Sequence, residues 1–163
     1  MKRLVCTLAV SALIAFTLTA VLASITFTPP GSNKPVRMGT GMMTPSKSAP
    51  KASGTATFMG NLDRSGYAMS LQMSGLDPKK VYTVQFSKTI KHKGMKNVTT
   101  VNKPQLVLTV EKTGRSQVSQ SFKTNPLIDW TDLAIVEHLD KNPKSTAKTV
   151  AVLTIDLYKL NHT

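Results

Sequence analysis

The sequence predicts an all-β fold, an antiparallel sandwich or barrel preceded by a hydrophobic N-terminal helix. Three observations carry that expectation. From Gly54 onward, apolar residues recur with period two, the spacing that lines one face of a strand. Clusters of turn-forming residues interrupt the pattern at short intervals. No helical stripe longer than a turn or two occurs in that part of the chain. The 163 residues fit one compact domain with appendages, and a hydrophobic content of 40% suffices for a core.

The N-terminus comes first. Lys2 and Arg3 precede a run without charge from Leu4 to Asn33, apolar at its centre from Leu4 to Phe27. A basic start before an apolar stretch is the pattern of a secretory signal, and Val21-Leu22-Ala23 offers a cleavage point after Ala23. At about 1.5 Å per helical residue the run would also span a hydrocarbon core of roughly 30 Å. Residues 1–27 are therefore read as a signal peptide or a transmembrane anchor, with the membrane as partner in the second case. Either role places the rest of the chain outside the cytoplasm: secreted, periplasmic or membrane-anchored. Cys6 is the single cysteine, so an intrachain disulfide and a CxxC zinc site are both excluded.

Residues 28–53 read as a flexible Pro/Gly/Ser/Lys linker. The segment holds Pro29-Pro30-Gly31, Pro35, Pro45 and Pro50, and its large apolar residues are Met38, Met42 and Met43. Such a composition buries too little surface to offset the entropy of ordering. The three sulfurs are soft enough for Cu(I), but no His or Cys lies near them.

Residues 54–160 read as the β-domain. Tyr67, Met69, Leu71 and Met73 alternate with polar or small residues, as do Tyr82, Val84 and Phe86, and then Leu106, Leu108 and Val110. Leu133 to Val136 and Val150 to Leu157 are more continuously apolar, as strands covered on both faces are. Asp63-Arg64-Ser65-Gly66, Asp77-Pro78, Lys112-Thr113-Gly114 and Asn142-Pro143 separate the runs. About seven short strands follow from this spacing. Leu76, Pro78 and Tyr82 form an L-x-P-x-x-x-Y pattern, a structural corner in which the tyrosine bonds back to the loop backbone. Such corners belong to Greek-key sandwiches, and a fibronectin-like or immunoglobulin-like strand order remains open beside the one considered next.

Three stretches together resemble the copper/zinc superoxide dismutase family. They are Gly66 to Leu76, ending in Ser-Gly-Leu; Thr113 to Phe122, continuing through Leu127-Ile128-Asp129 to Ala134-Ile135-Val136-Glu137-His138; and Thr149-Val150-Ala151-Val152-Leu153-Thr154-Ile155. The resemblance implies a superoxide dismutase-like Greek-key scaffold over most of Gly54 to Leu157. Its chemistry is degenerate. The family's His-x-His copper pair falls, without gaps, on Val84 and Phe86, which cannot ligate a metal. His138 matches the one surviving copper position. The zinc-loop equivalent, Lys88 to Pro104, holds only His92 and no acid. The family's arginine falls on Thr149 and its disulfide cysteine on Val152. One imidazole does not make a redox copper centre. No cofactor is expected, with copper at His138 as the alternative; otherwise His138 is a strand-end imidazole bonded to its surroundings.

Charge points to partners. Lys+Arg number 21 against 8 Asp+Glu, a formal net charge of +13. Lys79, Lys80, Lys88, Lys91, Lys93 and Lys96 lie in a stretch without an acid and are the expected anion-binding surface. Nucleic acid is a disfavoured partner, because Lys88 to Lys103 offers no arginine and no aromatic side chain. Asp129, Asp132, Glu137 and Asp140 form a complementary acidic stretch that would allow head-to-tail self-association. Asn97-Val98-Thr99 is a sequon that makes Asn97 a glycosylation acceptor in a eukaryotic secretory route. No GxSxG, HExxH, Walker or Rossmann pattern occurs, and no catalytic residue is assigned. The expected function is binding or assembly by a non-catalytic extracytoplasmic β-sandwich. A membrane-anchored coat or envelope protein and a degenerate copper protein are the alternatives.

Overall fold

The computed structural model describes residues 22–27, 33, 36–61, 66–90, 98–101, 106–123, 126–145 and 148–162. Ten strands and two short helices fill them. The strands are β1 (Leu22–Phe27), β2 (Val36–Pro45), β3 (Ser53–Asn61), β4 (Tyr67–Ser74), β5 (Val81–Ile90), β6 (Val98–Val101), β7 (Leu106–Val107), β8 (Ser116–Phe122), β9 (Asp132–His138) and β10 (Thr149–Asp156). The helices are α1 (Pro126–Asp129) and α2 (Leu157–His162). All strand pairs are antiparallel, in the order β6-β5-β9-β10-β2-β3-β4-β8. β1 adds to β2 and β7 to β5. The sheet curls into a half-barrel.

The curl brings two halves of the sheet face to face. Ala56, Phe58, Met69 and Leu71 from β3 and β4 meet Val84, Phe86, Leu133, Ile135 and Leu153 from β5, β9 and β10 in one cluster. Leu157 and Leu160 of α2 close it, each at most 1% exposed. The period-two alternation produces this arrangement, because every second side chain of β3 and β4 points inward. The halves join where Leu153 and Thr154 of β10 pair with Pro45 and Thr44 of β2.

Two expectations are corrected. Residues 22–27, assigned above to a hydrophobic helix, form β1, paired from Leu22↔Gly41 to Phe27↔Val36. A short apolar run does not by its periodicity distinguish strand from helix, and here an open edge of β2 decides. Residues 1–21 lie outside the described residues, and among those described no helix is long and apolar enough to cross a membrane. The expected flexible linker is also largely structured: residues 36–45 are β2, paired with β3 on one edge and with β1 and β10 in succession on the other. Its scarcity of large side chains has a packing reason. Gly39 and Gly41 are buried on its inward face, and a Cβ on Gly39 would come within 3.3 Å of the Leu160 side chain. The neighbours supply the bulk that β2 lacks.

Antiparallel pairing also sorts the connections. Those between β2 and β3, β4 and β5, β7 and β8, and β9 and β10 all emerge at the same end of the half-barrel. A contact between two of them agrees with this: the Leu76 N–H donates to the Gly114 carbonyl at 3.1 Å.

Candidate functional site

Among the described residues, that end gathers most of the cations. Lys47, Lys51, Lys79, Lys80, Lys112, Arg115, Lys141, Lys144 and Lys148 stand on its four connections, and all nine are exposed. Four acids accompany them: Asp77, Glu111, Glu137 and Asp140. A small open cleft of about 290 Å³ lies among the connections, lined by Lys51, Lys80, Tyr82, Asp77 and Glu137 among others.

Local chemistry fixes these loops. The Asp77 N–H donates to Tyr82 Oη at 3.1 Å, and Asp77 Oδ1 accepts from the Lys79 N–H at 2.9 Å. Burial of the Tyr82 phenol raises its pKa above the ordinary value, against the lowering effect of that Asp77 hydrogen bond. Gly75 and Gly114 take φ of +74° and +78°, conformations open to glycine, at the two turns that meet here. Lys80 Nζ binds Glu137 Oε1 and Oε2 at 3.0 Å, and the hydrogen bond to Glu137 raises the lysine's pKa. In the β9–β10 loop, the Asn142 N–H donates to Asp140 Oδ1 at 3.0 Å and lowers that carboxyl's pKa. Lys141 and Lys148 sit in left-handed conformations, φ 57° and 55°.

The expected anion-binding residues are divided. Lys79 and Lys80 belong to this basic end, Lys80 already paired with Glu137. Lys88 is exposed near the opposite end of β5, facing Thr100 in the register of β6. Lys91, Lys93, Lys96 and Asn97 lie outside the described residues. Seven cations of the basic end were missed by reading along the chain, because no two of its connections are consecutive in a charge run. The hairpin order that gathers them is visible only once strand pairing is known.

His138 ends β9 and is 2% exposed. Its Nε2 lies 2.8 Å from the Thr83 hydroxyl, and its Nδ1 is buried without a hydrogen-bond partner among the described residues. Val84 and Phe86 point into the core, whereas Thr83 shares the outer face with His138. Threonine at that point was not singled out from the sequence. Among the described residues no group of three or more His, Cys, Asp or Glu gathers to hold a metal. Met43 is buried in the core cluster, so its sulfur packs against side chains.

Compared with protein-family models, with curated proteins and with solved structures, the chain matches none.

Proposed function

We propose that this protein is a non-catalytic binding module, held at or exported across a membrane by its N-terminal segment, that grips an anionic surface through its basic end. The observation that carries the reading is the gathering of nine exposed Lys and Arg on four loops at one end of the half-barrel. A cation close to an anionic membrane contributes about 1 kcal/mol, so several acting together make a firm, salt-sensitive contact. Lys141 and Lys148 add support. A left-handed conformation costs a residue with a side chain about 1 kcal/mol or more, and glycine would occupy either position without that cost.

The polarity of β1 favours a membrane as the surface. Leu22 pairs with Gly41 and Phe27 with Val36, so the strand's first residue is the one nearest the basic end. A membrane-held segment before Leu22 would turn the cations toward lipid headgroups. The strand order supports the superoxide dismutase-like, Greek-key reading of the scaffold. β4 pairs with β8 rather than with β5, the strand that follows it, so the chain crosses between the two halves of the sheet, as it does in Greek-key folds.

The test compares vesicles of anionic and zwitterionic lipid. Full-length protein should prefer the anionic vesicles, and the preference should shrink as salt is raised through the physiological range. Lys51→Glu, Lys112→Glu and Lys144→Glu combined should reduce it at least tenfold, while Lys88→Glu should change it less than twofold. Equal reduction by all four substitutions would mean that net charge, rather than this end, does the binding.

A further inference from the structure

One face of the sheet carries no charge. β3, β4 and β8 hold no charged residue, and the one charge on β2, Arg37, falls on the inward phase set by the buried Gly39. The outward positions, alternate residues of 38–42, 53–61, 68–74 and 117–121, are therefore neutral throughout. The chain as a whole has a net charge of +13, so this neutrality is not a property of its composition. The face is open to solvent, with Met59 42% exposed and Ser53, Gln72, Gln117, Ser119 and Ser121 also exposed. Its relief is a ridge beside a hollow. Register aligns Met38, Met59, Ala68 and Ser121 in one row and Thr40, Thr57, Ser70 and Ser119 in the next. The methionines stand on β2 and β3, and the small side chains of β4 and β8 leave a hollow of about 360 Å³ beside Met59. Hydroxyls of the face also bond to each other, Thr40 with Thr57 at 3.2 Å and Ser53 with Ser74 at 2.8 Å. Hydroxyls paired in this way lose little when water is removed.

We propose that this neutral face is a dimer interface for a second copy of the chain, packed sheet on sheet, with Met59 of each copy seated in the other's hollow. Two features select a copy over an unlike partner. Copies of a strongly cationic chain repel one another, and this face sets no cation of one against a cation of the other. Ridge and hollow also lie side by side in one row. A two-fold axis running along β4 carries each onto the other, which is the self-complementarity an isologous interface requires. Rotation about an axis parallel to the strands preserves their direction. Both basic ends then point the same way, and the dimer presents two sets of loops to one surface. The covered area sets the strength. At about 4.8 Å between strands and about 3.4 Å per residue, four strands of about eight residues offer roughly 500 Å². Two copies then bury about 1,000 Å² together, the lower limit for a specific interface, so the dimer is weak and concentration-dependent.

Sedimentation of the full-length protein over a range of concentrations tests this. A monomer–dimer equilibrium should appear in the micromolar range and strengthen as salt screens the net charge. Head-to-tail pairing of the acidic and basic stretches would weaken with salt instead. Met59→Lys and Ser121→Glu, both at exposed positions, should each raise the dissociation constant at least about tenfold by burying an unpaired charge, with the urea midpoint unchanged. Mixing the two variant chains should restore dimers, because the introduced cation then faces the introduced carboxylate. With Cys6→Ser in the background, a short bis-maleimide should join Ser70→Cys chains, which meet near the axis. It should leave Thr40→Cys chains, two strands from the axis, unjoined. A chain that stays monomeric up to about 1 mM overturns the proposal. So does association that weakens with salt, that Met59→Lys leaves unchanged, that mixing the variants does not restore, or that joins Thr40→Cys as readily as Ser70→Cys.

Discussion

Tyr82 and His138 show how differently a single side chain can be anchored. Tyr82 Oη accepts the Asp77 N–H, so Tyr82→Phe should cost about 1 kcal/mol in urea unfolding. Its pH dependence follows from the same geometry. The folded-state pKa of the phenol lies above the unfolded value near 10, so its contribution is full below that pH and is lost as pH rises above it. Lys80, also raised, acts in the same direction above its ordinary value of 10.5. Stability should therefore fall above about pH 10, and less steeply in Tyr82→Phe. At His138 the prediction is a cycle. Thr83→Val strands a second buried ring nitrogen and should cost about 1–3 kcal/mol, whereas Thr83→Val with His138→Leu should recover much of that loss. The tyrosine corner was legible in the sequence because its partners lie five residues apart. The His138–Thr83 pair spans 55 residues and is made by the pairing of β5 with β9, which no local spacing announces.

Among the elements, β2 is the one whose loss should be felt farthest, because it touches β1, β3 and β10. Placing a bulky residue there tests its close approach to α2. Gly39→Val should destabilise by about 1–3 kcal/mol, read as a lower urea midpoint with an unchanged slope. The turns are equally specific. A Cβ on Gly114 would come within 2.7 Å of the Leu76 carbonyl oxygen at a φ of +78°, so Gly114→Ala should cost at least about 1 kcal/mol. β4, β5, β9 and β10 were legible because half-buried or fully covered strands write their burial into the sequence. β2 was not, since glycines stand where apolar side chains would have announced it. β1 was not, because a largely apolar segment of six residues satisfies a helix and a strand alike.

For the molecule as a whole, stability and binding should pull apart at the basic end. Lys141→Gly and Lys148→Gly remove two left-handed side-chain residues and should raise stability by about 0.5–1 kcal/mol each. The same pair should weaken retention on anionic vesicles, because two of nine cations are gone. Thermal unfolding and vesicle sedimentation on one preparation would register both effects. The strongly basic composition was plain from the sequence, but the face it builds was hidden, since charges far apart along the chain are gathered by hairpins. β1 carries a mechanical consequence of its own. Any load borne by the chain ahead of Leu22 enters a ladder of six register positions at the end nearest the basic loops. A pull directed away from that end along the strand axis stresses the rungs together, in shear, instead of opening them one by one. A domain hung from its first strand in this way resists detachment as a bolt does rather than as a zip does.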